Sequence, residues 1–263
     1  MSNEDFARRF GLDGGEFFIT APAPCPYLKG KRERKIFSYL SGDGASSTNA
    51  LLTRRGFRRS QNLIYLPACE ACNACVPVRI VVDDFDLSRS RRRTLSRNAD
   101  IIRRIKGPRA TGEQFSMLRA YLDQRHCDGG MADMTVLDYA SMVEETAVDT
   151  IIIEYRVKDE DTGEERLIGA ALTDRLTDGL SMVYSFFEPE EDARSLGRFM
   201  ILDHVSFARE LGLPYVYLGY WVNGSDKMDY KKSFQPLEML GPNGWTRMDR
   251  QTAPDSLRDA VSF

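Results

Sequence analysis

The chain has 263 residues, 42% of them hydrophobic and 29% charged, which suits a soluble globular protein of one large domain or two modest ones, with a core that needs no disulfide staples. No apolar run approaches the ~20 residues of a membrane-spanning helix, and Met1-Ser-Asn-Glu-Asp5 lacks the basic-then-apolar pattern of a secretory signal. Five cysteines, an odd number, read as reduced thiols, so the cytoplasm is the expected location and no membrane partner is expected.

The net charge of −3 hides a division. Residues 1–110 carry 21 Lys and Arg against 11 Asp and Glu (+10), and residues 111–263 carry 15 against 28 (−13). The basic excess is concentrated at residues 29–35, 54–59 and 89–109, the last with nine basic residues and only Asp100 opposing them. One such run is usually a solvated face; three in one half of an otherwise acidic chain favour a polyphosphate partner. Arginine outnumbers lysine there, which suits bidentate phosphate contact.

In chain order, residues 16–20 are strand-like, and a proline-rich turn at 21–26 delivers Cys25. Residues 46–55 read as a short helix with Gly56 as its C-cap. The apolar, β-rich runs 63–66 and 76–82 flank a cysteine cluster. Residues 88–106 read as one basic helix stopped by Gly107-Pro108. A second helix is expected over 111–125, where Phe115, Leu118, Tyr121 and Leu122 share a face and Thr111 with Gln114 approximates a capping box. His126-Cys127 then opens a turn that runs to Met131.

The second half changes rhythm. Residues 150–157, 167–174 and 180–187 are strand candidates separated by Asp161-Thr-Gly163 and Thr177-Asp-Gly179, the pattern of an antiparallel meander. A helix then runs to Leu211 and stops at Gly212 and Pro214. It leads to a strand at 215–220, as in a βαβ crossover. A short helix at 226–233 and a strand or hairpin within 234–247 complete the pattern. Three strands, a helix and a further strand are the layout of GCN5-related N-acetyltransferases. The expected fold is therefore mixed α+β, a GNAT-like acyltransferase domain at residues 106–263 behind a small cysteine-containing basic region at residues 1–105.

Two motifs carry chemistry. Arg194-Ser195-Leu-Gly197 opens the long helix directly after a strand, where outward-pointing amides attract an anion or oxyanion. That fold's fuller glycine-rich signature is absent. Cys69-Glu-Ala-Cys72-Asn-Ala-Cys75 converges three thiols, and with Cys25 the count meets the four ligands of a closed zinc site or an iron–sulfur centre. Four thiols without metal is the other open reading. Only two histidines exist, so histidine-based catalysis is not expected. Cys127 beside His126 is a poor nucleophile–base pair, because neighbours on one backbone rarely face each other.

Read together, Cys25-Pro-Tyr-Leu28, Leu52-Thr-Arg-Arg-Gly-Phe-Arg-Arg-Ser60, Tyr65-x-Pro-Ala-Cys69 through Cys75-Val-Pro-Val-Arg79, Gly129-Gly-Met131, Tyr184-Ser-Phe186, Arg194-Ser-Leu-Gly197, Leu218-Gly-Tyr-Trp221 and Met228-x-Tyr-Lys231 resemble the bacterial aspartate/glutamate leucyltransferases. These are relatives of the eukaryotic arginyl-tRNA–protein transferases, and the likeness covers nearly the whole chain in order. The eukaryotic relatives carry a second cysteine where this chain has Leu28 and a Cys-Cys pair in place of the spaced trio. The resemblance implies transfer of leucine from leucyl-tRNA to proteins with an N-terminal Asp or Glu, marking them for N-degron proteolysis, with no cofactor required.

On that reading Ser195 and Tyr220 are the expected catalytic residues. Arg79, followed by Arg54 and Arg125, is expected to bind the acidic acceptor. Tyr184, Arg194, Gly197, Trp221, Lys231, Arg91 and Arg92 are expected to bind aminoacyl-tRNA. The rival readings are a coenzyme A-dependent N-acetyltransferase and a metal- or redox-sensing nucleic-acid-binding module.

Overall fold

In the computed structural model, which describes residues 16–125, 131–159, 161–225 and 227–248, two sheets carry the site. The smaller sheet is built early in the chain from β1 (Phe18–Ile19), β4 (Lys35–Tyr39), β5 (Arg58–Ser60) and β6 (Leu63–Pro67), in the order β1-β4-β6-β5. A separate two-stranded ribbon pairs β2 (Ala23–Pro24) with β3 (Arg32–Glu33). Strand alternation sends Ile36, Ile64 and Leu66 to one face, where they pack with Leu52 of helix α1 (Ala45–Arg54) and with Phe57. Phe37, Tyr39, Tyr65 and Arg58 lie on the other face.

The larger sheet has eight strands: β7 (Cys75–Val81), β8 (Ile102–Lys106), β9 (Thr150–Lys158), β10 (Glu165–Leu176), β11 (Gly179–Phe187), β12 (Tyr215–Val222), β13 (Leu237–Gly241) and β14 (Gly244–Arg247). Their spatial order is β14-β13-β7-β12-β11-β10-β9-β8. The meander β9-β10-β11 is antiparallel, β12 lies parallel to β11, and β13 with β14 forms the terminal hairpin. The parallel step is made by α5 (Leu196–Glu210), whose Met200, Val205 and Leu196 pack with Ile153, Ile168 and Leu180 on one sheet face. On the opposite face Ile152, Leu172 and Phe186 meet α3 (Gly112–Arg125) and α4 (Val136–Glu144). The alternation of Ile151, Ile152 and Ile153 between these two cores explains why these strands read as continuous apolar runs.

The capping box before α3 forms as expected, Thr111 Oγ1 accepting from Gln114 N while Thr111 N donates to Gln114 Oε1. The long basic helix does not. It is α2 (Arg89–Arg97), started by Ser88, and residues 102–106 form edge strand β8 instead. Asn98 ends the helix by donating to the carbonyls of Thr94 and Arg194, and β8 pairs with β9, Arg104 opposite Glu154 and Ile105 opposite Ile153. Helix α4, capped by Thr135 and Asp138, adds an element beyond those expected from the sequence. The turn opened by His126-Cys127 lies outside the described residues. No helix among the described residues is long and apolar enough to cross a membrane.

Candidate functional site

Strands β11 and β12 pair at only three positions, Gly179 with Tyr215, Leu180 with Val216 and Ser181 with Tyr217, and then part. The gap is filled from the small sheet. Adjacent residues of β5 face opposite ways, so Arg59 turns inward to Asp174 while Arg58 reaches the gap. Arg58 Nη2 donates to the Met182 carbonyl at 2.5 Å and the Val183 carbonyl at 3.3 Å, and Nη1 donates to Ser181 Oγ at 3.3 Å. On the far side of β12, its register against β7 shifts between Tyr217 and Gly219. Gly219 has φ of 74°, and a Cβ there would lie 2.6 Å from Arg58 Nε, so glycine is required both by the backbone and by the guanidinium.

A second cation closes the gap from the 3₁₀ turn Asp229–Ser233: Lys231 Nζ donates to the Tyr220 carbonyl at 2.6 Å. Burial, reinforced by the neighbouring Arg58 charge and opposed by Cys75, pushes the Lys231 amine down to about 7. It is therefore poised to hold or release a proton near neutrality. Arg58 was not singled out from sequence. The available signal was its place in Arg58-Arg59 on a strand, since two adjacent strand residues cannot face the same side.

Tyr220 lines a pocket next to this gap, together with Tyr27 and Tyr65. Its hydroxyl bonds to the Gly56 and Tyr65 carbonyls at 2.9 and 3.2 Å, and burial holds its pKa well above the ordinary phenol value. That hydroxyl is a fixed donor within the wall. The pocket's cations are Lys31, Arg32 and Lys35, all from the first basic run, with Glu33 as counter-charge. Lys35 Nζ sits 5.2 Å from the Tyr65 ring centroid and 2.9 Å from Glu33.

Cys25, Cys69, Cys72 and Cys75 line this same pocket, so the spacing does bring them together. Among the described residues, however, no group of three or more His, Cys, Asp or Glu side chains is arranged to hold a metal ion. Cys72 Sγ is 3.5 Å from Lys31 Nζ, and the Cys69 thiol faces the Arg34 carbonyl at 3.8 Å. Burial pushes Cys75 up to about 12 and raises Cys69, so without a metal both rest as thiols. The four thiols meet a metal site's count and not its arrangement.

At the start of α5, Ser195 adopts φ 55°, ψ 47° and makes no side-chain cap bond, while its carbonyl accepts from Arg198 N and Phe199 N. Gly197 lets the first turn approach Phe187, whose Cε1 would lie 3.2 Å from a Cβ there. Phe187 stacks edge-on with Tyr121 at 5.0 Å, and Arg125 lies 5.1 Å over it while pairing with Asp192. Tyr184 is half-buried against Phe186, and burial raises its pKa. Arg194 forks onto Asp100 at 2.8 and 2.9 Å and also bonds Glu191 at 3.0 Å. The hydrogen bond from Arg194 holds the Asp100 carboxyl below its ordinary range.

The remaining sequence candidates are placed elsewhere. Arg79 is buried, paired with Glu238 at 2.7 Å, hydrogen-bonded to Tyr217 and stacked 3.5 Å over Tyr215 and 4.3 Å over Trp245. Arg54 bonds Thr177 beside Asp178. Arg91 covers Phe85 and donates to the Ser233 and Gln235 carbonyls, tying α2 to the turn that carries Lys231. Arg92 is exposed and bonds the Leu87 carbonyl. Trp221 is a core residue whose Nε1 donates to Asp229 at 3.4 Å.

Residues 23–93 match the family model described as "Arginine-tRNA-protein transferase, N terminus", and residues 113–241 match its C-terminal counterpart. The chain is 60% identical over 240 residues to an aspartate/glutamate leucyltransferase of Nitrobacter hamburgensis, covering 90% of this chain and 93% of that protein. One from Afipia carboxidovorans is 59% identical over 236 residues, with 89% and 93% covered. Among solved structures, FemX aligns over 73% of this chain and 64% of its own, at 10% identity and a TM-score of 0.44.

Proposed function

Because the chain belongs to the aspartate/glutamate leucyltransferase family of aminoacyl-tRNA–protein transferases, we propose that it moves leucine from leucyl-tRNA to the N-terminal amine of proteins that begin with Asp or Glu. The observation that carries this reading is 60% identity extending over nine-tenths of the chain, with the gap between β11 and β12, the cysteine-lined pocket and the start of α5 all inside the aligned span of the family models. The modified proteins would be marked for N-degron proteolysis, in the cytoplasm where charged tRNA is made.

The reaction is aminolysis of an ester. A protein N-terminal amine has a pKa of about 7.7–8, so roughly a tenth is neutral at pH 7 and no strong base is required. Positioning of the two partners contributes up to about 7–11 kcal/mol in well-oriented systems. The amides of Leu196 and Gly197, ahead of the first helical bonds to the Ser195 carbonyl, are the donors for a developing oxyanion. Lys231, whose amine burial lowers to about 7, is the group that accepts or returns the amine proton through the gap. The acidic side chain of the acceptor meets Lys31 and Arg32 in the pocket, since Arg79 is already paired with Glu238 and Lys35 with Glu33.

An extended donor arm laid along β11 would find the Met182 and Val183 carbonyls occupied by Arg58, which weighs against coenzyme A. The test is incubation with labelled leucyl-tRNA and peptides headed by Asp, Glu or Ala, and in parallel with acetyl-CoA. Label is expected on the Asp and Glu peptides alone, with tRNA affinity falling steeply as salt rises. Equal labelling of the Ala peptide, or acetylation in place of leucylation, overturns the reading.

A further inference from the structure

The solvent face of the small sheet carries an unusual row. Across its four strands Phe18 stands opposite Phe37, Phe37 opposite Tyr65, and Tyr65 opposite Arg58. Phe18 stacks on Phe37 with centroids 5.5 Å apart and planes 29° apart, and Tyr39 meets the two rings edge-on at 5.9 and 6.0 Å. Phe18 is 40% exposed and Tyr39 61%, although rings of this size normally seek the core. The opposite face of the sheet is the packed one, against Leu52 and Phe57.

The row has a direction. It begins at solvent, passes Tyr65 under the Lys35 ammonium, and ends at the guanidinium that fills the gap between β11 and β12. Three strand spacings make it about 14 Å long, the reach of roughly four stacked nucleotides. The strand positions on this face, Phe18, Lys35, Phe37, Tyr39, Arg58, Ser60, Leu63, Tyr65 and Pro67, include two cations and no carboxylate. Glu33 approaches only as the ion-pair partner of Lys35. Aromatic rings on a sheet, edged by cations and placed in a half of the chain with a +10 excess, form a platform for unpaired bases, because every base has a face to stack and every link a phosphate to attract.

We propose that this face is the stacking platform for the unpaired 3′-terminal nucleotides of the donor tRNA, guiding them from Phe18 and Tyr39 through Phe37 and Tyr65 to the Arg58 end. The inference rests on the reading of the chain as an aminoacyl-tRNA-dependent transferase and assigns that reading its RNA-end subsite.

Binding, without transfer, tests it. The dissociation constants of the full chain are measured for uncharged tRNA(Leu) and for the same RNA lacking its unpaired 3′ nucleotides. The proteins compared are the unmodified chain, Phe18→Leu/Tyr39→Leu and Tyr39→Trp. Removal of the 3′ nucleotides is expected to weaken binding to the unmodified chain about tenfold or more. In the double leucine variant both RNAs should bind with the weaker affinity. Tyr39→Trp, which keeps a ring at that position, should retain the difference, and thermal midpoints should fall only by the loss of the Phe18 and Tyr39 ring contacts, with the transition still cooperative.

A double variant that still separates the two RNAs as the unmodified chain does, or an unmodified chain that binds both alike, overturns the platform. Since leucine donation is not read, failure of the proposed function appears separately, as an unmodified chain that binds the 3′ end through this face and labels no peptide.

Discussion

At Lys231 an ammonium is buried with the Tyr220 carbonyl as its recorded acceptor and the Arg58 charge close by. Its folded pKa of about 7 lies below the 10.5 of an unhindered amine. Between those values the unfolded chain binds more protons, so stability rises with pH through that window, and below about pH 7 the burial penalty is full. Lys231→Met is therefore expected to raise the thermal midpoint at pH 7 and to flatten the rise in stability between pH 7 and 10, as read by thermal unfolding across pH. An unchanged slope would place the titration elsewhere. Lys231 was legible from the run Met228-x-Tyr-Lys231; that it bonds the splayed strand was not, because the contact joins a 3₁₀ turn to β12 through the chain's return.

Among the elements, β12 bears the tightest local demand. The register of β12 against β7 shifts at Tyr217–Gly219, just past its last pair with β11, and the positive φ of Gly219 leaves its α-carbon against Arg58. Gly219→Ala is expected to cost about 1–2 kcal/mol for the left-handed backbone alone, plus displacement of the guanidinium. In an Arg58→Ala background only the backbone part should remain, so a double-mutant cycle by denaturant unfolding separates the two. Equal costs in both backgrounds would remove Arg58 from the account.

Elsewhere the contrast between α3 and β8 shows what local chemistry reaches. The capping box at Thr111 and Gln114 acts within one turn and was readable. The strand at Ile102–Lys106 depends on the free edge of β9 and on Arg103 and Arg104 pairing with Asp203 and Glu165, partners 61 to 100 residues away.

Over the whole molecule, one buried ion pair links the two sheets. Arg59 of β5 meets Asp174 of β10 at 2.6 and 2.7 Å, with both side chains 1% exposed and with Thr150 and Asn49 completing the carboxylate's bonds. Loss of one partner strands the other charge, so Arg59→Met is expected to cost about 3–5 kcal/mol, while Arg59→Met with Asp174→Leu should recover part of that loss. Chemical denaturation monitored by fluorescence checks both. A double variant less stable than the single would contradict the pairing argument.

Periodicity, caps and composition encode the meander, the crossover helix, the terminal hairpin, the basic first half and the convergence of four cysteines. Which charges are spoken for is set by the assembled fold. Arg79 and Arg194, read from sequence as ligand-facing, are consumed by Glu238 and by Asp100, while Arg58 reaches the gap between the parted strands. A side chain's partner across 90 to 160 residues depends on strand order and register, and no local pattern records either.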